Sequence, residues 1–486
     1  DGIRMSLTRH ILASSAQLTL ANALARALGI VSLPLLTLFL SPSAYGQAAL
    51  ASTLISLLSV IGLMGMDMSY SRAYLSRDPP NGEAVETLLW RLAFPAALVA
   101  GTVAAAIWLI HVGRNAQVMA SVAVLVFLGA AGSLLLAMAQ TRSRLHHQHG
   151  RLALAVAIGG VAATVISLAL ARWVTADERA LVAGYVTAYI LPLLIMGIPG
   201  WKQLRAPSGL APGMRRAVFV VGLPGVVTAP MYWILSSSDR WFLQASADSA
   251  AVGVYAVACT FGQLGMMVNS ALLAIWLPEA TRVHETTERA EGDRSLGRLF
   301  TRLLIVMMLV WLGVAIVGSD LLRWLTHDRF HLGAPLVPWL ASAVFFYGVY
   351  HLANTGLFLG RKLKWSALAW AMAGVVSLIA NAVWVPRYGA MAAAAVQCGT
   401  FAGLALSVWL LSQRIHPLPL PIRRIAMATT LALLGVVVGS RLPGVVDTAT
   451  AGMKALFLCV VCLTVLWVME PGILVRARRG LTGIGQ

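Results

Sequence analysis

The sequence predicts an all-α polytopic membrane protein of about fourteen transmembrane helices, on three observations. Hydrophobic residues make up 59% of the 486 positions and charged residues only 11%, with a mean hydropathy of +0.80. A soluble domain is about a quarter charged, and a soluble chain this apolar could not keep its apolar side chains off its surface. Apolar runs near the ~20 residues that a spanning helix needs recur along the whole chain. The basic residues concentrate in alternate loops.

Six runs come first, at 11–40, 44–70, 88–110, 116–141, 152–173 and 180–198. A break at 199–216 follows, with Pro199, Pro207, Pro212 and four basic residues. Eight more runs lie at 217–238, 250–278, 299–319, 333–360, 365–385, 389–413, 422–441 and 450–470. Backbone in hydrocarbon must satisfy its own hydrogen bonds, so these runs read as helices. The expected organisation is an N-lobe over 1–198, a cytoplasmic linker over 199–216, a C-lobe over 217–413, and two further helices with a basic tail over 414–486. The first run is longer than a signal-peptide core and lacks a small-residue cleavage site, so no cleaved leader is expected.

With the N-terminus in the cytoplasm and alternating loops, 26 of the 36 Lys and Arg residues fall inside and nine outside. Arg26 alone lies within a span. This obeys the positive-inside rule and puts both termini in the cytoplasm. The formal charge of +18 would suggest a nucleic-acid partner in a soluble protein. Here most of it is an orientation signal and an anchor to anionic lipids of the inner leaflet, and no nucleic-acid partner is expected.

Several chemistries are excluded. There is no GxxxxGK[ST] loop for ATP, no HExxH or GxSxG motif, and no loop long enough to be a catalytic domain, so no enzyme activity is expected. Cys259, Cys398, Cys459 and Cys462 all lie in apolar runs, which argues against a disulfide framework. His146, His147 and His149 sit in a short basic loop that reads as solvated and lipid-facing rather than metal-binding. No metal or other cofactor is expected, and proton or sodium coupling stays open.

A short segment repeats. Ser43–Ala51 (SAYGQAALA) returns loosely at Ala250–Ala258 (AAVGVYAVA) and at Arg387–Ala395 (RYGAMAAAA), each time opening an even-numbered helix. Gly46 and Gly253 are 207 residues apart. Two sets of six helices joined by a linker describe parallel repeats, an arrangement of secondary transporters. Generic packing of small residues is the alternative.

Arg26 is the most informative polar residue. It lies near the middle of the first span, where an arginine costs at least ~2.5–3.5 kcal/mol, so it should face protein or water. Ser15, Thr19, Asn22, Arg26 and Gly29 share one helical face. That face is expected to line a cavity in which Arg26 meets an anionic substrate; a structural ion pair is the alternative. The tenth span repeats the device with Tyr347, His351, Asn354, Phe358 and Arg361. Tyr232, with Thr228, and Asn269 complete the candidate substrate contacts, although Asn269, like Ser52, Ser56 and Ser59, suits hydrogen bonding between helices. Asp239 and Arg240 at an outer boundary, Asp67 and Glu279 at inner helix ends, and Arg361 are candidates for gating or ion coupling.

Particular strings carry a resemblance. Leu33–Gly46 (LPLLTLFLSPSAYG) and Gly65–Leu75 (GMDMSYSRAYL) resemble the first two helices of bacterial polysaccharide exporters of the Wzx type. Gly222–Pro224, Ser238–Arg240, Val252–Tyr255 and Ala274–Pro278 follow in that family's order and spacing. The resemblance covers spans 1–2 and 7–8; the rest is similar only in hydropathy. It implies the multidrug/oligosaccharidyl-lipid/polysaccharide (MOP) superfamily, with two six-helix lobes forming a V and, in lipid-linked sugar exporters, two extra C-terminal helices. It further implies an undecaprenyl-pyrophosphate-linked oligosaccharide as substrate, moved from the cytoplasmic to the periplasmic leaflet of the bacterial inner membrane for surface polysaccharide synthesis. Polysaccharide polymerase and chain-length machinery are the implied protein partners. A lipid II-type flippase, a cation or drug antiporter, and a non-transport protein of glycan assembly remain as alternatives.

Overall fold

The computed structural model describes residues 29, 31–74, 82–111, 116–199, 229–445 and 447–471. No strand occurs among them. The chain forms two compact units, Asp1–Gly253 and Val254–Gln486.

The first unit begins with a helical stretch, α1 (31–39), which stops at Ser41. The Ser41 hydroxyl accepts the Ala44 N–H at 3.1 Å and Pro42 occupies the first helical position of α2 (Pro42–Leu63). Both devices favour a helix start there, since the first turn has N–H groups without partners and proline needs none. The second run, which the hydropathy reads as continuous over 44–70, is broken. Met64 and Gly65 take positive φ (46° and 69°), ending α2 and starting α3 (Met66–Tyr74). The others are α4 (Gly82–His111), α5 (Ala116–Leu145), α6 (His149–Trp173) and α7 (Glu178–Met196). α2 packs against α4, α5 and α7, and α6 runs along α7. Trp90, Trp108 and Tyr70 are fully buried in this unit. Beyond the linker, α8 (229–237) and α9 (Asp239–Ser246) lead into α10 (Ser249–Gly262), whose first turn still belongs to the first unit.

The second unit continues with α11 (Gly265–Thr286), bent by 44° from α10. The eighth run is therefore also two helices. Next comes α12 (Arg289–Leu325), 37 residues long. It outruns the expected 299–319 because its first turns, Arg289 to Arg298, are polar enough to leave the hydrocarbon yet keep helical hydrogen bonding. A 3₁₀ turn (Asp328–Leu336) precedes α13 (Val337–Leu359). Trp311 of α12 stacks on Phe345 of α13, with ring centroids 4.4 Å apart, and donates to Ser342 at 2.9 Å. Trp276 of α11 donates to Thr355 at 2.7 Å. Each indole buries a large apolar body while its N–H keeps a partner.

The 53-residue helix α14 (Leu363–Ile415) contains one non-helical residue, Gly389 (φ 60°, ψ −142°). Its two halves lie side by side: the ring centroids of Trp370 and Phe401 are 6.3 Å apart. The chain thus reverses at Gly389, and α14 is a hairpin of two spans. α15 (Ile422–Gly439) and α16 (Thr448–Met469) close the unit, packing Ala428, Ala432, Val465 and Met469 against the core built by α12. At the end assigned to the outside, Asp320 of α12 is buried. It accepts Lys454 Nζ of α16 through Oδ2 and the Val445 N–H through Oδ1 at 3.2 Å. The two last helices are therefore tied to the unit by an ion pair as well as by apolar packing.

Ten described helices are long and apolar enough to cross a membrane, eleven with the bent pair α10–α11. One of these, α14, carries two spans. The first and seventh expected spans fall mainly outside the described residues. Among the described residues, twelve of the fourteen expected spans are therefore present.

Candidate functional site

Three polar constellations stand out, two in the first unit and one in the second.

The first is the crossing of α2 and the start of α10. The repeated glycines meet each other there. A Cβ on Gly46 would lie 1.8 Å from the Ser249 carbonyl oxygen, and one on Gly253 would lie 1.9 Å from that of Pro42. The contact is reciprocal: each glycine faces the backbone four residues before the other. The caps follow the same 207-residue offset, since the Asp248 carboxylate accepts the Ala251 N–H at 2.8 Å just as Ser41 accepts that of Ala44. Gln47 Nε2 donates to the Ser249 hydroxyl, both buried. Trp233 and Trp241 donate to the carbonyl and hydroxyl of Thr53 at 2.8 and 2.9 Å. Close backbone approach at paired glycines is how membrane helices pack without a hydrophobic driving force.

The second lies at the end of the same unit assigned to the cytoplasm. Glu86 of α4 is 8% exposed. It accepts the Tyr70 hydroxyl at 2.6 Å and Arg142 Nε at 2.7 Å, with His146 Nε2 at 2.9 Å. A buried carboxylate is tolerable only when paired and hydrogen-bonded, and here three side chains from α3, the α5 end and the loop beyond it do so. His146 is thus engaged by an acid, not merely part of a solvated basic loop. Hydropathy passed over Glu86 because it precedes the apolar run; an acid just ahead of a span, among basic loops, was the available signal.

The third is a ring cluster on α13. His351 lies 4.5 Å from the Tyr347 ring and 4.9 Å from that of Tyr350. Tyr350 lies 5.2 Å from Trp370, and Tyr347 5.4 Å from Phe401, both rings on α14. The Tyr350 hydroxyl is 3.2 Å from Ser366 Oγ. One turn on, Asn354 Oδ1 is buried and accepts no hydrogen bond from the described residues. Tyr350 and Trp370 complete this cluster and were not singled out from the sequence: Tyr350 stands three residues from Tyr347, a spacing that was the available signal, whereas Trp370 is on another helix and no spacing rule reaches it.

The remaining candidates are distributed. Arg26, Asn22 and Thr19 lie outside the described residues, as do Ser15 and Thr228. Tyr232 is on α8 and 37% exposed. Asn269 on α11 is buried and donates to the Val344 carbonyl at 2.9 Å, a bond between helices. Ser59 likewise accepts from Ser133 across helices at 2.9 Å, while Ser56 bonds within its own helix. Asp239 is buried at the start of α9, and its carboxylate accepts the Arg240 N–H at 2.8 Å. Asp67 sits in the first turn of α3, and Glu279 pairs with Arg282 one turn along α11. Arg361 is exposed in the turn between α13 and α14 with φ 53°. Cys459 and Cys462 are free thiols on α16, and no metal-binding cluster occurs among the described residues.

Comparison with solved structures shows which fold this arrangement of helices has. It is similar to the lipid II flippase MurJ in an inward closed conformation, with a TM-score of 0.71, 13% identity, and coverage of 94% of this chain and 99% of that one. It is also similar to a MOP-superfamily transporter from Pyrococcus furiosus (TM-score 0.55, 13% identity, 84% and 96% covered). An inward-facing multidrug resistance MATE transporter of the same superfamily gives a TM-score of 0.54 at 13% identity, with 81% and 95% covered. The chain has the MOP-transporter fold. Residues 11–284 match the model of the polysaccharide biosynthesis protein family, and the chain belongs to that family. No curated protein sequence matches it.

Proposed function

We propose that this protein is a flippase that moves a polyprenyl-pyrophosphate-linked oligosaccharide from the cytoplasmic to the periplasmic leaflet for surface polysaccharide synthesis. The observation that carries the reading is the match of residues 11–284 to a polysaccharide biosynthesis family on a chain with the fold of transporters. Alternating access of the two six-helix repeats opens the substrate path first to one side and then to the other. Arg26, placed by the sequence near the middle of the first span, holds the pyrophosphate with a fixed charge, and the polyprenyl tail stays in lipid. The membrane potential biases net movement of charge, worth ~2.3 kcal/mol per elementary charge per 100 mV.

The decisive experiment is sidedness. Deleting the chain should trap lipid-linked repeat units on the cytoplasmic face, scored by accessibility to a membrane-impermeant sugar-modifying reagent. Units that still reach the periplasm would end the proposal in favour of a non-transport role. Arg26→Ala should abolish export and Arg26→Lys should retain part of it. A lipid II flippase is a second reading, supported by the fold likeness over 94% of the chain. It predicts rescue of cells depleted of their lipid II flippase, which an oligosaccharide exporter does not.

A further inference from the structure

Orientation does not explain every cation at the outer end. The bias that fills the inner loops with basic residues leaves nine of the 36 outside. Three of those nine, Arg323, Arg441 and Lys454, border one cavity of about 580 Å³ in the second unit. Its lining comes from α12, α13 and the 3₁₀ turn before it, the second arm of α14, α15 with the turn that follows, and Lys454 of α16.

The acids at this end are already engaged. Asp320 is buried between Lys454 and the Val445 N–H, which take one carboxylate oxygen each. Asp447 caps α16 through Thr450, Asp328 faces His331 at 3.6 Å, and neither lines the cavity. Arg323 and Arg441 are exposed, and neither is in an ion pair with another described residue. Arg323 stands beside the Gly444 turn: a Cβ on Gly444 would lie 2.7 Å from its Nη1 and 3.7 Å from Asp320 Oδ1. Lys454 offsets Asp320, so the mouth keeps two uncompensated guanidinium charges.

Below the mouth the walls turn apolar, with Ile316, Pro335, Pro338 and Val436. The serines among them are satisfied within the protein: Ser319 donates to the Ala334 carbonyl at 2.7 Å and Ser342 to that of Pro338 at 2.7 Å. Trp339, Met391, Leu433 and Val437 are exposed, so the cavity opens sideways to hydrocarbon. Along α12, Arg323 to Ile316 covers about 10 Å at ~1.5 Å of rise per residue. That depth stays within one leaflet, roughly half of ~30 Å. A free aqueous anion would leave these walls without contacts, and a lipid of no net charge would leave the two guanidinium charges uncompensated. A second copy of this chain is the rival occupant. A two-fold pairing through this mouth would set Arg323 and Arg441 against their own copies, at a cost in repulsion.

We propose that this cavity holds an anionic phospholipid of the outer leaflet, its phosphate at Arg323 and Arg441 and an acyl chain between α12 and α15. The occupant touches α12, α13 and α15 together and so ties the C-terminal helices to the rest of the unit. The site does not depend on the substrate proposed above. The full-length chain, purified and stripped of lipid, is titrated with dioleoyl phosphatidylglycerol or dioleoyl phosphatidylcholine, and retained lipid is counted by native mass spectrometry. Phosphatidylglycerol should be retained about fivefold over phosphatidylcholine. Arg323→Gln with Arg441→Gln, both at exposed positions, should erase that preference and leave phosphatidylcholine retention unchanged. Lys362→Gln with Lys364→Gln removes cations from the inner end and should leave the preference intact. Val437→Trp fills the exposed wall and should cut phosphatidylglycerol retention by about fivefold without lowering the melting midpoint of the lipid-free chain. Equal retention of the two lipids, a preference that survives the Arg323 and Arg441 changes or is lost with the inner pair, or retention undiminished by Val437→Trp would each overturn the site. So would displacement of the lipid by soluble glycerol phosphate, or a dimer that Val437→Trp dissociates.

Discussion

Gly46 and Gly389 sit in the same local sequence, a tyrosine, then the glycine, then a run of small residues, and yet they are glycine for different reasons. Gly46 is in a regular helix and has ordinary backbone angles; what it lacks room for is a side chain, because the Ser249 carbonyl occupies the place of a Cβ. Gly389 has open space around it and a backbone that L-residues resist, with φ at 60° where the chain reverses. The first glycine is a contact, the second a hinge in the path of the chain. The comparison also separates the echoes: Gly253 shares the contact reason with Gly46, whereas the third echo shares only the letters.

That distinction can be broken experimentally. Gly46→Ala or Gly253→Ala forces two backbones apart and should cost more than the ~1–3 kcal/mol of ordinary overpacking. The two changes strain one contact, so the double variant should lose far less than the sum. Melting in detergent of the singles and the double measures this; strict additivity would separate the two glycines. Next in size is Ser249→Ala, which removes the acceptor of the buried Gln47 amide and should cost ~1–3 kcal/mol. Gly389→Ala adds only backbone strain, about 1–2 kcal/mol, and should be additive with Gly46→Ala because they share no partner.

The caps sharpen the repeat further. Ser41→Ala and Asp248→Ala each remove a cap at the same place in the two repeats and should each cost about 1 kcal/mol. Asp447, which caps α16 outside the repeat, serves as a control. The Thr450 backbone N–H and hydroxyl hold its carboxyl below the usual carboxylate range. A depressed folded pKa adds stability above the unfolded value, near about 4, and loses it as pH falls through the folded one. The melting gap between the wild type and Asp447→Ala should therefore be small at neutral pH and close in acid. A gap that widens in acid would remove the carboxylate from the cap.

The spans were legible because crossing a membrane is a local requirement: about 20 apolar residues suffice, whatever else the chain does. The breaks at Met64–Gly65 and Gly262–Gly265 were not, since both lie inside apolar runs and a bend leaves composition unchanged. The tenth-span face was legible as Tyr347, His351 and Asn354 at helical spacing, and Tyr350, three residues from Tyr347, was within reach of the same rule, but their partner Trp370 was not. Spacing rules link residues three or four apart, and Trp370 reaches the cluster only through the turn at Arg361.

By itself, then, the amino-acid sequence determined the class of protein, its spans, the charge asymmetry between its loops and the existence of a repeat. Each of these is a sum or a period along one chain, and hydrocarbon enforces it residue by residue. The tertiary structure alone decided that Gly46 faces Gly253, that Glu86 gathers Tyr70, Arg142 and His146, and that α14 folds into a hairpin. Those outcomes join residues up to 207 positions apart, and they depend on which helices pack side by side.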